Sequence, residues 1–328
     1  MTTTNKPFAA DPEFARLIRF KAALIWEVRK YLHERRALEI PMPILHRTRE
    51  GAPIDQWSSV QPPNGKRWYL RHCMEDHLRR VSAAHNRVFE VGKAIRADAS
   101  SPTHAHEFVV LELVFRGFSY DEGVALVTGL LTVAVAAAVD QEYGTGSMFR
   151  RVEVRTWDDL FKEATGITTR DAGFIDSCKF WLQARGVVPD RPYTLDWEVL
   201  EDIMKYAVEP ACIAPTVITY FPQQLQHVCS TDQTNGRAFR VSSVMNGVEI
   251  SDGGLKFARS EDYRRIYETN AKYRREVLGL DGNDLPEEFF ADLDAMDEPA
   301  FTTGMGIDRL TALVAGCDIK RALIFPEG

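Results

Sequence analysis

A short polar segment, residues 97–106, separates two apolar runs and carries side chains that can bind an anion and a purine. Arg96 precedes it, and a planar guanidinium suits a phosphate or a carboxylate. Asp98 and His104 can hydrogen-bond a base, and Phe108 can stack on an aromatic ring. These residue types indicate a ligand with an anionic group and a ring. The alternative is an exposed hairpin whose charges are merely solvated.

A second candidate is the glycine-rich segment Gly304–Arg309, followed by the apolar run LTALVAG. Its glycines permit close backbone approach, and Arg309 falls in the first turn of a predicted helix. A cation there opposes the helix dipole, so an anionic ligand such as a nucleotide phosphate would explain it. The alternative is a tight strand-to-helix turn with Arg309 in solvent, because a lone GxG is weak evidence.

A third candidate is the strand-like segment Asn246–Lys256. Glu249 and Ser251 share one face of a strand, and the Glu249 carboxylate can hold magnesium that is bound to phosphates. Gly253 and Gly254 leave space for a small ligand. The alternative is an exposed polar strand with a glycine bulge.

Two histidine pairs, His104 with His106 and His72 with His77, consist of common metal ligands. Neither pair has third and fourth ligands at a standard spacing, so non-metal roles are favoured.

The pattern of apolar residues predicts the elements that position these candidates. Arg87–Arg96 and Glu107–Phe115 predict an antiparallel hairpin with a long loop. Helices are predicted over Pro12–Arg36, Glu75–Ala84, Tyr120–Val139, Trp157–Ala164, Ile175–Ala184, Trp197–Val208 and Ser260–Leu278. Strands are predicted over Leu38–Leu45 (an edge or interface strand, because of its prolines), Trp68–Arg71, Ala214–Pro222, two runs about the turn Asn246–Gly247, and the final ALIFP.

Bulk properties predict a soluble cytoplasmic protein. The 328 residues have a net charge of −7 and a composition that is 45% hydrophobic and 27% charged. An acidic chain lacks the broad basic face of a general nucleic-acid binder. Five scattered cysteines predict a reducing compartment, and the N-terminus has no apolar signal core. The apolar run Val124–Val139 is too short to span a membrane and predicts a buried helix.

No linker or repeat divides the chain. We therefore expect a flexible tail over residues 1–11 and a single domain over residues 12–328. Residues 140–215 form a less certain insertion region without a catalytic signature.

Three segments, in this order, resemble the motifs of class II aminoacyl-tRNA synthetases. LEIPMPIL is similar to motif 1, RVFEVGKAIRAD…HAHEFVVLEL to motif 2 and GMGIDRL to motif 3. The resemblance covers Leu17–Pro326 and is strongest to lysyl-tRNA synthetase and the shortened ligase that modifies elongation factor P. It implies an α/β (α+β) fold, an antiparallel sheet flanked by helices. It also implies a homodimer through Leu17–Leu45.

The family activates a carboxylate with ATP and Mg²⁺, giving an aminoacyl-adenylate and pyrophosphate. By position, the resemblance implies that Arg96 bridges the α-phosphate and the substrate carboxylate. It implies that Asp98 and His104 contact ATP. Phe108 would stack on one face of adenine, and Arg309 would lie on the other face, near the γ-phosphate. Glu249 would hold magnesium. Arg96, Arg309 and Glu249 are thereby the implied catalytic set.

On the amino-acid side, the resemblance implies that Glu75 binds the substrate amino group and that Gly51 lines the pocket. Glu112 is retained from the lysyl pattern. Gly304 is the glycine of lysyl enzymes, where the elongation-factor ligase has alanine and uses a β-amino acid. An α-amino acid is therefore favoured.

The departures from the lysyl pattern predict a different substrate. Lys256 replaces the glutamate that reads the lysine ammonium, and aspartyl and asparaginyl enzymes have an arginine there. Our hypothesis is that Lys256 reads an acidic or amide side chain, which disfavours lysine. The alternative is that Lys256 has turned outward into solvent. Asp252 replaces an asparagine and Val114 a tyrosine.

Two departures concern ATP and the metal. Ser242 replaces a second magnesium carboxylate, which predicts weaker metal binding or one ion fewer. Thr103 replaces an arginine on the motif 2 loop, which predicts a looser hold on ATP.

We expect an AMP-forming ligase that transfers an activated α-amino acid to a protein lysine, a carrier thiol or a small amine. A tRNA acceptor is disfavoured because the sequence has no anticodon-binding segment before motif 1 and is acidic. The alternatives are an asparagine-synthetase-like enzyme that forms a free amide, a true tRNA-aminoacylating enzyme, and a non-catalytic paralogue that senses an amino acid or regulates a synthetase.

Overall fold

An eight-stranded sheet forms the centre of the protein in the computed structural model, which describes residues 11–49, 58–59, 65, 68–97, 99–141, 143, 151–280 and 285–323. The strands are Leu38–Glu39 (β1), Leu45–His46 (β2), Ser58–Ser59 (β3), Trp68–Leu70 (β4), Arg87–Ile95 (β5), Glu107–Arg116 (β6), Glu153–Thr156 (β7), Thr216–Phe221 (β8), Ala238–Met245 (β9), Val248–Leu255 (β10) and Ala300–Gly306 (β11). The order in the large sheet is β1-β5-β6-β11-β10-β9-β8-β7, and β2-β4-β3 form a small second sheet.

The large sheet is antiparallel apart from its two edge pairs. β1 runs parallel to β5, and β7 runs parallel to β8. β5 and β6 pair from Arg87 with Phe115 to Ile95 with Glu107, which confirms the predicted hairpin. The turn between β9 and β10 has positive φ at Asn246 (51°) and Gly247 (74°), as a two-residue hairpin turn requires. A mixed α/β architecture with a mainly antiparallel sheet is confirmed.

Helices flank this sheet and follow the predicted apolar periodicity. They are Pro12–Glu34 (α1), Glu75–Val81 (α2), Tyr120–Asp140 (α3), Trp157–Thr165 (α4), Phe174–Gln183 (α5), Asp196–Ile203 (α6), Glu209–Ala211 (α7), Ser260–Glu276 (α8), Glu287–Met296 (α9), Ile307–Ala315 (α10) and Ile319–Ala322 (α11). A π-helical segment, Met204–Val208, joins α6 to α7.

One face of the sheet is covered by α1 and α3. Phe20 of α1 and Leu130 of α3 are fully buried in the same cluster as Phe115 and Phe301 of the sheet. α3 begins with a Ser119–Glu122 capping box. Among the described helices it alone is long and apolar enough to cross a bilayer, but core helices often share these properties and half of its apolar window is buried. The opposite face is covered in part by α2, α4 and α6, and the rest of it lines a cavity.

Three predictions of local structure were wrong in part. Leu38–Leu45 does not form one strand, because Pro41 and Pro43 interrupt it between β1 and β2, although β1 does lie at an edge of the large sheet. Asp11, assigned to the tail, is the N-cap of α1 and accepts hydrogen bonds from the backbone N–H groups of Glu13 and Phe14. The predicted final strand begins at Ala322, which is instead the last residue of α11. Residues 324–328 and 1–10 lie outside the described residues.

Residues 153–211 are part of the packing against the sheet. Trp157 and Phe161 of α4 and Leu200 of α6 share a buried cluster with Ile218 of β8 and Val244 of β9. The predicted helices of this region are present, and β7 adds an edge strand that the sequence pattern did not predict.

Candidate active site

A row of directly paired residues crosses four strands on the face of the sheet opposite α1 and α3. Gly304 of β11 pairs with Glu112 of β6 on one side and with Asp252 of β10 on the other. Asp252 in turn pairs with Ser242 of β9. Paired residues project from the same face of a sheet. Glu112, Gly304 and Asp252 thus line a single cavity of about 810 Å³.

All the predicted site residues that the structure describes line this cavity. They come from α2, the β5–β6 hairpin, β10, the residue after it, β11 and α10: Glu75, Arg96, His104, Phe108, Glu112, Glu249, Asp252, Lys256, Gly304 and Arg309. The other two, Gly51 and Asp98, lie outside the described residues.

Arg96 lies at the root of the hairpin loop, beside Phe108. Its guanidinium carbon is 5.3 Å from the centre of the Phe108 ring, and its Nε donates to the His72 carbonyl at 3.2 Å. The loop is closed by a hydrogen bond from the Arg96 N–H to the His106 carbonyl. These contacts place a cation and an aromatic ring side by side at the cavity. A nucleotide could use the cation for its phosphate and the ring for its base.

Arg309 joins the hairpin loop to β10. It lies in the first turn of α10, where its Nε donates to the Thr103 carbonyl at 3.3 Å and one terminal nitrogen donates to the Glu249 carbonyl at 3.0 Å. The same nitrogen is 3.5 Å from the Glu249 carboxylate. Arg309 therefore faces the cavity rather than solvent, and the alternative of a solvated turn residue was wrong.

Glu249 has the electrostatic setting of a cation ligand. Burial and the neighbouring Asp252 carboxylate raise the pKa of Glu249 above its ordinary value, although Arg309 opposes the shift. A bound cation would relieve this repulsion. The Ser242 hydroxyl, at the position of the absent second carboxylate, is fully buried and has no hydrogen-bond partner among the described residues. This donor set fits one magnesium ion that is held largely by phosphates and by one protein carboxylate.

Lys256 points into the protein. It is 5% exposed, and its Nζ is 3.6 Å from the Glu75 carboxylate. Burial alone would lower the pKa of Lys256, but Cys229 and Glu75 raise it above its ordinary value, so the side chain is charged. The alternative of an outward-turned Lys256 was therefore wrong.

Glu112 and Gly304 shape the centre of the cavity. The Glu112 carboxylate accepts a hydrogen bond from the Met74 N–H, at the start of α2, and so fixes the helix that carries Glu75. A Cβ added at Gly304 would be 3.5 Å from the Glu112 side chain, an ordinary van der Waals contact. An alanine would thus fit sterically but would occupy cavity space. Val114, the position of the lysyl tyrosine, is fully buried and does not line the cavity.

An ionic chain at one end of the cavity was not predicted. Arg240 of β9 is buried and donates to Asp252 at 2.8 Å and to Glu201 of α6 at 3.1 Å. His227 Nε2 lies 3.1 Å from the same Glu201 oxygen. Residues 140–215 show no catalytic signature in the sequence, yet Trp197 and Glu201 of this region line the cavity. The signal that was missed is Arg240, the one charged residue of the buried strand β9.

The histidine pairs do not assemble a metal centre within the described ranges. No group of three or more His, Cys, Asp or Glu side chains among those residues has metal-binding geometry. His104 instead has its Nδ1 2.9 Å from the Ser101 hydroxyl in the hairpin loop. His46 and His77 stack with ring centres 4.1 Å apart.

Known proteins with similar sequences belong to the family that the three motifs resemble. Residues 8–328 match the family described as tRNA synthetases class II (D, K and N). The chain is 26% identical to the lysine–tRNA ligase of Thermosynechococcus vestitus over 96% of its own length and 64% of that protein. It is 26% identical to the lysine–tRNA ligase of Agrobacterium fabrum (93% and 63%) and 27% identical to that of Gloeobacter violaceus (97% and 65%).

The chain spans somewhat less than two thirds of the length of these relatives. The family match, however, covers nearly all of the sequence, including the three motifs. The protein belongs to the family of class II tRNA synthetases of the D, K and N type.

Proposed function

We propose that the protein is an AMP-forming ligase that activates an α-amino acid with ATP. The observation that carries this proposal is the convergence of Arg96, Arg309 and Glu249, from three distant segments, on one cavity. Two cations and a carboxylate with a raised pKa form a site for a magnesium-bound triphosphate. Phe108 beside Arg96 supplies a face for the adenine ring.

The reaction requires no protein nucleophile. The substrate carboxylate attacks the α-phosphate, and pyrophosphate leaves in line. Arg96 binds the carboxylate and the α-phosphate, while Arg309 neutralises charge on the leaving phosphates. Glu249 would hold magnesium, which would further neutralise the charge on the phosphates. The remaining contribution of the protein is orientation, which the contacts of Arg96 to His72 and of Arg309 to Thr103 provide.

The ion pair between Lys256 and Glu75 supports an acidic or amide-bearing substrate. Glu75 is the family's partner for the substrate α-ammonium, and here it faces the Lys256 ammonium at 3.6 Å. A substrate ammonium that binds Glu75 would free Lys256 to pair with a side-chain carboxylate or carbonyl. A lysine substrate would instead bring a second ammonium against Lys256. The two charges would repel each other, because Lys256 is buried and cannot turn into solvent.

Pyrophosphate exchange across a panel of amino acids tests the reaction and its substrate. We expect exchange with aspartate, asparagine, glutamate or glutamine. Lys256→Met should lower that exchange by about 10- to 100-fold, because a hydrogen bond to a charged group contributes about 1.5–3 kcal/mol. Lys272→Met, on the exposed face of α8, is the matched control and should leave it unchanged. Exchange with lysine alone would refute the substrate assignment.

We infer that the activated amino acid passes to an acceptor other than tRNA. A protein lysine, a carrier thiol and a small amine are the candidate acceptors. The net charge of −7 supports this, because tRNA recognition is dominated by phosphate contacts. The competing acceptors are tRNA, on which the named relatives act, and ammonia, which would give a free amide. Mass spectrometry of the product with each acceptor distinguishes these outcomes.

A non-catalytic sensor of an amino acid is the second candidate function. The replacements Ser242 and Thr103 favour it, because both reduce the groups available for ATP and its metal. Binding of an amino acid without pyrophosphate release in the presence of ATP would support the sensor. Exchange with any amino acid would exclude it.

We propose that the protein is a cytoplasmic homodimer that associates through α1 and the adjoining strands. Large apolar side chains are exposed on these elements, including Trp26, which is 65% exposed, and Leu45, which is 50% exposed. Burial of such apolar side chains against a second copy would favour association.

Trp26→Glu is expected to weaken the dimer by about 30-fold in Kd, the effect of losing one aromatic anchor worth about 2 kcal/mol. Sedimentation equilibrium measures the change. Phe180→Glu, on α5, removes a side chain that is 73% exposed elsewhere and serves as the control. An unchanged Kd for Trp26→Glu would place the interface on another surface.

A further inference from the structure

His227 lies in a part of the cavity that the activation step does not use. Its side chain is 42% exposed and belongs to the cavity lining, together with the glutamines of the same loop. Its Nε2 is 3.1 Å from an oxygen of Glu201. A partly exposed histidine at a cavity wall, paired with a carboxylate, has the composition of a general base and the group that orients it.

The carboxylate partner fixes the tautomer of a neutral His227 ring. Burial opposes the ionisation of Glu201, but the Arg240 guanidinium and His227 together lower the pKa of Glu201 to about 2. Glu201 is therefore ionised and can only accept hydrogen bonds. The hydrogen of a neutral His227 ring must then be on Nε2, which leaves Nδ1 as the basic nitrogen.

The backbone holds His227 in an unusual conformation. Its φ of 49° lies in the left-handed region, which is strained for a residue other than glycine. A hydrogen bond from the Cys229 N–H to the Gln226 carbonyl closes the loop around it. The Glu201 partner of the ring is itself held by Arg240, which links Glu201 to Asp252 in the amino-acid region. The ring is therefore held at the cavity wall and is joined, through Glu201 and Arg240, to Asp252 in the amino-acid region.

We propose that His227 is the general base of the transfer step and that the acceptor it serves is a primary amine. Glu201 is its positioning residue. The inference rests on the proposed adenylation. The glutamines and the ionised carboxylate beside His227 can accept hydrogen bonds from an ammonium, which favours an amine over a neutral hydroxyl acceptor.

The proton balance of the step is complete. His227 Nδ1 takes one proton from the acceptor ammonium, and the freed lone pair forms the C–N bond to the acyl carbon. The bond between that carbon and the phosphate oxygen breaks, and AMP leaves with its electron pair. The second proton of the nitrogen passes to the departing phosphate. The products are the amide, AMP and a protonated His227.

Two amine probes separate this role from a structural one. Ethylamine is protonated at neutral pH and needs a base, whereas hydroxylamine is largely neutral and attacks an adenylate without one. The measurement is the ratio of ethylamide to hydroxamate formed at pH 7 with the amino acid that supports exchange. His227→Gln keeps a side-chain N–H that can bond Glu201 but has no basic nitrogen. We expect its ratio to fall about 100-fold, the usual contribution of a general base.

Two further variants complete the test. His85→Gln replaces a histidine outside the cavity lining, in the turn before β5, and should keep the wild-type ratio. His227→Asn repeats the measurement with a residue that tolerates a positive φ, in case glutamine impairs folding. A ratio within threefold of wild type, or a wild-type enzyme that makes no more ethylamide than the variants, would overturn the assignment. Absence of exchange with every amino acid would instead refute adenylation itself.

Discussion

Arg309→Ala is expected to lower pyrophosphate exchange by about 100- to 1,000-fold, the usual cost of removing a group that stabilises transition-state charge. The guanidinium now spans the Thr103 carbonyl and Glu249, and so holds the hairpin loop against β10. Its removal would take a cation from the triphosphate and leave the Glu249 carboxylate without its nearest counter-charge. Arg96→Ala should have a similar effect, because it removes the cation beside Phe108.

Substitution by lysine refines this expectation. Arg309→Lys keeps the charge but loses the planar fork that reaches two acceptors, so only partial exchange should remain. Arg185→Ala, on an exposed residue after α5, is the matched control. Thermal melting should show that Arg309→Ala is folded. Near-normal exchange by either alanine variant would show that the nucleotide binds elsewhere.

The parts of the fold that depend on local patterns could be predicted from the sequence. The hairpin of β5 and β6 follows from two β-rich runs around a polar loop, and the turn at Asn246–Gly247 follows from residues that accept positive φ. The prolines within LEIPMPIL predicted an edge strand. The division of this segment into β1 and β2 could not be predicted in the same way. It depends on pairing with β5 and β4, which are distant in the sequence, and no local pattern encodes that pairing.

The resemblance to family motifs predicted that Arg96, Glu249 and Arg309 belong to one site, and the three residues do line one cavity. The orientation of Lys256 could not be decided, because an inward lysine requires a partner, and Glu75 is far away in the sequence. Arg240 and Glu201 were missed for the same reason, since their ion pair joins β9 to a helix of the insertion region. Interactions across distant segments depend on tertiary packing, so neither propensity nor spacing reveals them.

Lys21→Met is expected to reduce the free energy of unfolding by about 3–5 kcal/mol, because it leaves a buried carboxylate without its counter-charge. Lys21 of α1 forms an ion pair with Asp308 of α10, and the two residues are 8% and 0% exposed. Lys21 also donates to the Ala322 carbonyl at 3.2 Å, and Asp308 accepts from the Val109 N–H at 2.7 Å. The pair thus joins α1 to motif 2 and motif 3.

The position of this pair connects stability to catalysis. Asp308 precedes Arg309, and Val109 follows Phe108, so a shift of the carboxylate would move both sides of the nucleotide site. Urea unfolding measures the first effect and pyrophosphate exchange the second. The double variant Lys21→Met with Asp308→Leu should recover most of the stability, because no charge remains buried. A loss below about 1 kcal/mol in Lys21→Met would mean that water reaches Asp308 and that the motifs are held together by apolar packing alone.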